Sequence, residues 1–255
     1  MKVNKVVKSV KAIILAGGSG TRLMPFTRYT HKTLLPIYDK PVIDYALAVI
    51  RRAGIKDITI IANKHIGQIA EHIGSGITNE RIHYVIEEEA KGVGSALELA
   101  RPYVEKSRIL LYFADNITNY DFKEDVVKFS ASEDPPGAIF LVREVDNPSS
   151  FGVCKFDENE NIIDIIEKPK IPPSNQAIGG IYLFDEQFWD FYDHIKINNI
   201  RFSISDITRK YVKRSQCEIR NIGHLTWVDC GTPENLIKAG IMASMGEINA
   251  EFRGQ

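Results

Sequence analysis

Residues 11–41 read KAIILAGGSGTRLMPFTRYTHKTLLPIYDKP. The run Ala12-Ile13-Ile14-Leu15 has the continuous hydrophobicity of a parallel strand buried on both faces. Gly17-Gly18-Ser19-Gly20-Thr21-Arg22 follows at once. Glycines there let the backbone approach a ligand closely and turn its N–H groups inward, which makes an anion-binding concavity. Arg22 supplies a planar fork of donors for phosphate oxygens, and Lys32 is a second cation further along. The spacing is neither that of the P-loop, which ends in Lys-Ser/Thr, nor G-x-G-x-x-G. Strand, glycine loop and two spaced cations together predict a nucleotide triphosphate site. A tight strand-to-helix turn with surface Arg and Lys would use the same glycines.

The rest of the chain bounds what that site serves. At 255 residues it can build one large α/β core. A formal net charge of -1 gives no reason to expect nucleic acid or a membrane surface as the main partner. Cys154, Cys217 and Cys230 are far apart and odd in number, so they form neither a disulfide framework nor a zinc pattern. They fit a reducing compartment. The apolar run after the basic N-terminal residues is too short for a signal segment and breaks at Gly17-Gly18. No run approaches transmembrane length. These features predict a cytoplasmic protein, with residues 1–10 an extra strand or a loose extension.

Beyond Pro41, VIDYALAVIRRAG has helical apolar spacing and Gly54 as its stop. DITIIA, IHYVIEE and RILLYFADN read as strands, alternating with the helical IGQIAEHIG and GSALELARPYV. That alternation predicts an α/β fold with a doubly wound, mainly parallel sheet and ligands beyond the strand C-termini. AIFLVREV, FGVCKFDENENIIDIIEKP and AIGGIYLFD then read as strands and turns, a smaller antiparallel portion suited to an acceptor. SISDITRKYVKR is helical, and the end of the chain is strand, loop and final helix. The expected organisation is a single domain, with a nucleotide-binding portion at 11–135 and a sugar-phosphate-binding portion at 136–232. A C-terminal helix and tail occupy 233–255. The loop-like ASEDPPGA marks the first boundary.

Two further places carry candidate chemistry. Asp115 ends a strong strand, where a carboxylate suits a magnesium ligand, although an Asp-Asn pair is also a common turn former. Lys168, beside Glu167, can hold a phosphate while the carboxylate takes sugar hydroxyls. As a surface ion pair the two would contribute under about 1 kcal/mol.

LAGGSGTRL-x-P-x-T followed by K-x-LLPIYDKP-x-I resembles the signature of the sugar-1-phosphate nucleotidyltransferases, and within them the short-form glucose-1-phosphate thymidylyltransferases. FADN, EKP and WVDCGT fall in the same order as that family's motifs, and the likeness runs from Lys11 to about Ala239. It implies in-line attack of a sugar 1-phosphate on the α-phosphorus of a nucleoside triphosphate, giving a nucleotide sugar and pyrophosphate. The resemblance assigns catalysis to Arg22, Lys32 and Lys168, and Mg2+ to Asp115 and Asp229. Nucleotide binding would fall to Leu15, Gly17, Gly18, Gly20, Thr21, Glu87 and Gly92. Sugar-phosphate binding would fall to Gly152, Glu167, Lys168, Ile178 and Tyr182. Asp229 would otherwise read as a helix cap ahead of Pro233, and Ile178 as plain core. Related enzymes are often oligomers, so a homo-oligomer is expected, with the tail at 242–252 a candidate interface. A non-catalytic sugar-nucleotide-binding subunit would use the same fold. Retention of Arg22, Lys32, Asp115, Lys168 and Asp229 together favours catalysis.

This chain departs from the family in its base loop. Thymidylyltransferases place a glutamine where Glu87 stands in IEEEAKGVGSAL. Thymine offers one N–H between two carbonyls. An amide can both accept and donate there, whereas a carboxylate can only accept. A carboxylate there would suit guanine or cytosine better, so GTP, CTP or UTP with another sugar stays open, as does a role for Glu88 or Glu89 instead or a plain solvated charge run.

Overall fold

The structure, a computed structural model, describes residues 8–89, 91–198, 203–223 and 225–250. Residues 1–7 of the expected extension, Ala90 of the base loop and residues 251–252 of the tail lie outside the described residues. β1 (Val10–Leu15) is followed by short 3-10 turns, a hairpin of β2 (Pro36–Ile37) and β3 (Lys40–Pro41), and α1 (Val42–Arg52). Then come β4 (Asp57–Ala62), α2 (Ile66–Ile73), β5 (Arg81–Ile86), α3 (Val93–Val104), β6 (Arg108–Phe113), β7 (Asn116–Thr118) and α4 (Lys123–Ala131). β8 (Ala138–Glu144), β9 (Gly152–Phe156), β10 (Ile162–Glu167) and β11 (Gln176–Phe184) precede α5 (Phe188–Asn198) and α6 (Ile204–Lys213). β12 (Cys217–Asn221), β13 (Trp227–Asp229) and α7 (Pro233–Ser244) complete the order.

Local chemistry accounts for the elements. Pro41 fixes the backbone entering α1, Asp44 sits at its first turn and Arg51 and Arg52 at its last, in the sense the helix dipole favours. Gly54, at φ +80°, lets the chain leave. α4 and α5 go beyond the sequence reading. α4 is mostly polar and buries little beyond Val126 and Phe129, so its periodicity is weak. In α5, Phe188, Trp189, Phe191 and Tyr192 are all buried, and a helix apolar on several sides shows no amphipathic stripe.

β5, β4, β1 and β6 are parallel neighbours. β11 then runs antiparallel to β6, so the antiparallel strands extend the same nine-stranded sheet. One edge of β11 carries β8; along the other, Ile181–Phe184 pairs with β6 and Ala177 with Val153 of β9. Its register shifts between Ile178 and Tyr182, across Gly179-Gly180, where the strand changes partner. Alternate residues of β1 face opposite layers. Ala12 and Ile14 pack with α1 and α4, whereas Ile13 and Leu15 pack with α3, α5 and α6. A third, smaller cluster lies under α7, around Ile37, Tyr45, Val228 and Cys230. Leu15 and Phe113 are register partners, so the glycine loop and Asp115 leave adjacent parallel strands at one edge.

Candidate active site

The glycine loop is shaped by two side chains that press on it. A Cβ at Gly17 would run into Oε2 of Glu87, and one at Gly18 would lie 2.8 Å from Nζ of Lys32. A side chain at either position would displace the end of Glu87 or Lys32 from where it now lies. Gly20 has φ +64°, and the Thr27 hydroxyl donates to its carbonyl at 2.8 Å. A 3-10 turn, Thr21–Leu23, then buries Leu23 and leaves Arg22 exposed. Gly92, at φ +106°, precedes α3, and no atom stands where its side chain would be.

Lys32 reaches Asp115, with Nζ 2.6 Å from Oδ2. Burial alone would raise the Asp115 carboxyl, but the Lys32 ammonium and the Asn116 side-chain N–H hold it below the ordinary carboxylate range. His31, unforeseen in the sequence reading, lies buried beside Lys32 and accepts the Thr33 N–H to cap the turn Lys32–Leu34. Burial and the Lys32 charge lower its pKa to about 4, so this imidazole stays neutral near pH 7.

β13 brings the second carboxylate. It pairs antiparallel with β7, setting Asp229 opposite Asn116, and the Cys230 N–H donates to the Asp115 carbonyl at 2.7 Å. Asn116 is the hub. Its Oδ1 accepts from Trp227 Nε1 at 2.7 Å and from the Gly180 N–H at 3.1 Å, while its Nδ2 donates to Asp115 at 3.0 Å. Asp229 Oδ1 accepts from the Gly231 N–H at 2.8 Å. The cap of α7 is Thr232, whose hydroxyl accepts from Asn235, and not Asp229. A Cβ at Gly231 would meet both Asp229 Oδ1 and Arg22 Nη2 at 2.8 Å, so Arg22 and Asp229 converge on that glycine. Burial and the Asp115 carboxylate push Asp229 up from the usual range. Cys230 is a buried packing residue.

The other half of the site lies across the sheet. Glu167 Oε2 accepts from Ser205 Oγ at 2.5 Å, and Gly152 packs at the same point, leaving 3.1 Å between its absent Cβ and Ser205 Oγ. Lys168 has φ +44°, a strained setting for a side chain with a Cβ, and its N–H donates to the Phe151 carbonyl at 2.9 Å. Its side chain is 66% exposed and its ammonium only loosely paired, 3.8 Å from Glu167. A cleft of about 740 Å³ joins Lys168 to Arg22 and Asp229. Phe151 lines it too, set edge-on against Trp227 at 5.2 Å. The structure thus brings Arg22, Lys32, Asp115, Asp229 and Lys168 to one side of the sheet. Ile178 and Tyr182 lie in the apolar core with Phe140 and Phe184, each 6% exposed. Ala114 is wholly buried.

Arg143 and Lys238, not singled out in the sequence, also line the cleft. Arg143 Nη1 donates to the Trp227 carbonyl at 3.0 Å. Its one cue was a basic residue near the end of an otherwise mostly apolar strand; Lys238 gave none, being an ordinary charge on the final helix.

The model of the Nucleotidyl transferase family matches residues 11–243. The chain belongs to the nucleotidyl transferase family. This nucleotidyltransferase is 36% identical over 234 residues to a glucose-1-phosphate thymidylyltransferase of Neisseria gonorrhoeae, covering 90% of this chain and 81% of the relative. It is 35% identical over 233 residues to one of Xanthomonas campestris, covering 90% of this chain and 79% of that relative. A crystal structure from Bacillus anthracis, described as a candidate glucose-1-phosphate thymidylyltransferase, superposes with TM-score 0.83 at 34% identity, covering 92% of this chain and 95% of that one. Nucleotidyltransferases generally use a divalent metal. Asp115 and Asp229 fit one: the Asp115 carboxylate makes Asp229 costlier to ionise, and a divalent cation beside both would remove that cost. Among the described residues no group of three or more His, Cys, Asp or Glu side chains is placed to hold a metal. Two carboxylates suit an ion that keeps water and substrate oxygens as its other ligands. Among the described residues no helix is long and apolar enough to cross a membrane.

Proposed function

We propose that the protein is a glucose-1-phosphate thymidylyltransferase, joining dTTP to glucose 1-phosphate with loss of pyrophosphate. The observation that carries this reading is the single cleft that Arg22, Asp229 and Lys168 share. It offers cations for two phosphate groups and a carboxylate in the same cleft, as nucleotidyl transfer requires. The names of the relatives supply the base and the sugar. Mg2+ held by Asp115 and Asp229 would neutralise phosphate oxygens and expose the α-phosphorus.

The protein's own groups do the rest. The glycine loop Gly17, Gly18, Gly20 and Thr21 turns its N–H groups to the triphosphate, with Leu15 at its base and Glu87 and Gly92 toward the nucleotide ring. Lys168, with Gly152 and Glu167 beside it, holds the sugar 1-phosphate so that one of its oxygens attacks the α-phosphorus. Tyr182 and Ile178 shape the floor from the core side. The bond to the β-phosphate oxygen breaks, and Arg22 and Lys32 balance the charge that develops on departing pyrophosphate. The contribution is positioning and preset electrostatics, with no covalent intermediate on the enzyme. In this reading the nucleotide lies over 11–135 and the acceptor over 136–232.

Pyrophosphate release in magnesium, with dTTP, UTP, CTP, GTP and ATP each offered a panel of sugar 1-phosphates, tests the reading. Release with dTTP and glucose 1-phosphate is expected. Release with GTP or CTP alone would replace the base assignment, and silence across the panel would favour a binding subunit.

Arg143 gives a further expected outcome. Arg143→Ala raises KM for the sugar 1-phosphate by roughly tenfold, the scale of a charge-assisted hydrogen bond, and leaves KM for the nucleotide little changed. Equal changes in both constants would place Arg143 elsewhere.

The same reading takes the enzyme to be cytoplasmic and a homo-oligomer. Ile237, Ile241 and Met245 lie four residues apart on the exposed side of the C-terminal segment and support self-association. Light scattering at working concentration decides the oligomeric state, and a monomer would end that part of the proposal.

A further inference from the structure

Glu87 is the one site residue whose chemistry the structure recasts. Its backbone N–H continues the pairing past β5 by donating to Ala62 at 2.8 Å. Its side chain turns in under the glycine loop, with its carboxyl against the face of Gly17 that carries no Cβ. The residue is 4% exposed, and Oε1 is buried without a hydrogen-bond partner. Such an atom in a nucleotide site waits for a ligand donor or acceptor.

The charged groups around it do not compensate a carboxylate. From the glycine loop comes Lys32, which is taken by Asp115 at 2.6 Å. From its own loop come Glu88, Glu89 and Lys91, the last two paired with each other at 2.9 Å. Lys64 and His65 follow β4. Among the described residues none of these side chains acts on the Glu87 carboxyl, and Lys91 reaches it through its backbone N–H. A buried charge with so little support is costly, and the neutral acid is the form such a place favours.

We propose that Glu87 binds the pyrimidine ring of the nucleotide as a neutral carboxylic acid. Its C=O accepts from the ring N3–H and its O–H donates to the neighbouring ring carbonyl, the same pair of bonds a glutamine amide would make. The proton comes from solvent and returns there on release, so no other reactant is needed. The glutamate thus becomes compatible with thymine or uracil, and the base preference of an ionised carboxylate does not apply. Burial also raises the Glu87 pKa, and the incoming ring removes what water remains. This inference rests on the thymidylyl reading above.

Calorimetric titration of dTTP into wild-type protein and Glu87→Gln, between about pH 5 and pH 9, tests it. Ionisation of the dTTP phosphates is common to both proteins, so the ratio of affinities isolates Glu87. Wild-type affinity is expected to fall relative to the variant by up to about tenfold per pH unit between the titration of the free carboxyl and its higher titration in the complex, where binding takes up a proton. Repeating the titration in buffers of different ionisation enthalpy should show proton uptake in the wild type beyond that in the variant.

Melting curves give a second readout that needs no ligand. A carboxyl group whose folded pKa is raised costs stability as pH climbs past its unfolded value. Glu87→Gln should therefore melt above wild type at alkaline pH, the gap closing toward acid. Parallel dTTP profiles with tight binding in both proteins overturn the neutral acid alone. So does tighter binding of GTP than dTTP by the wild type with the order reversed in the variant. No dTTP binding by either protein overturns the thymidylyl reading, and this inference with it.

Discussion

Asp115→Asn lowers turnover by about 10²–10³-fold, the loss typical when one preorganised electrostatic group is removed from a transition state. The substitution keeps the shape of the side chain and removes its charge. Asp115 is the partner of Lys32 at 2.6 Å, and Asn116 donates to its other oxygen at 3.0 Å. With Asn at 115, the Lys32 ammonium loses its fixed anionic partner and swings from the position facing Gly18. The metal proposed at Asp115 and Asp229 loses one of its two hard anionic ligands. Both effects fall on the reacting centre, so kcat suffers more than the KM of either substrate. Stability falls as well, because Lys32 is left without its partner in a mostly buried place, and relief of the repulsion that Asp115 exerts on Asp229 offsets only part of that loss. Steady-state pyrophosphate release at saturating substrates and rising magnesium measures the effect. A variant within a few-fold of wild type at ordinary magnesium would remove Asp115 from the catalytic site.

Asn116→Ala costs about 2–4 kcal/mol of stability, from the loss of a buried hydrogen-bond hub. Asn116 is 4% exposed and joins three chain segments. Trp227 Nε1 and the Gly180 N–H both donate to its Oδ1, at 2.7 and 3.1 Å. Truncation leaves two donors facing a small void, and the buried indole N–H finds no replacement. In a domain of this size the melting temperature should fall by roughly 5–12 °C. Activity falls further than stability requires, since β7 carries Asn116 opposite Asp229 and holds the two carboxylate segments in register. Thermal unfolding and turnover measured well below the midpoint separate the two. A melting shift under about 1 kcal/mol would show that water or neighbouring side chains satisfy the freed donors.

Much of the architecture was legible because its signals are local. The unbroken apolar runs of β1 and β6 and the 3.6-residue pattern of α1 name their own elements. The alternation of strand and helix makes a parallel sheet the natural solution, and it places the glycine loop and Asp115 at one edge of it. α4 and α5 escaped because a weakly apolar helix and a thoroughly buried one both lack an amphipathic stripe. The cleft was legible only in part. Arg22, Lys168 and Asp229 stand in motifs, whereas Arg143 and Lys238 are single cations whose importance depends on what the fold sets across from them.

The sequence by itself determined the α/β class, the family and most of the groups that can meet phosphate, since these depend on residue type and spacing along the chain. Only the tertiary structure decided that Asp115 holds Lys32, that Thr232 rather than Asp229 caps α7, and that Glu87 lies buried against Gly17. Each of these turns on burial and on partners far away in sequence. A carboxylate in water and a carboxyl group closed off beneath a backbone loop share one letter in the chain and differ in the bonds they can make.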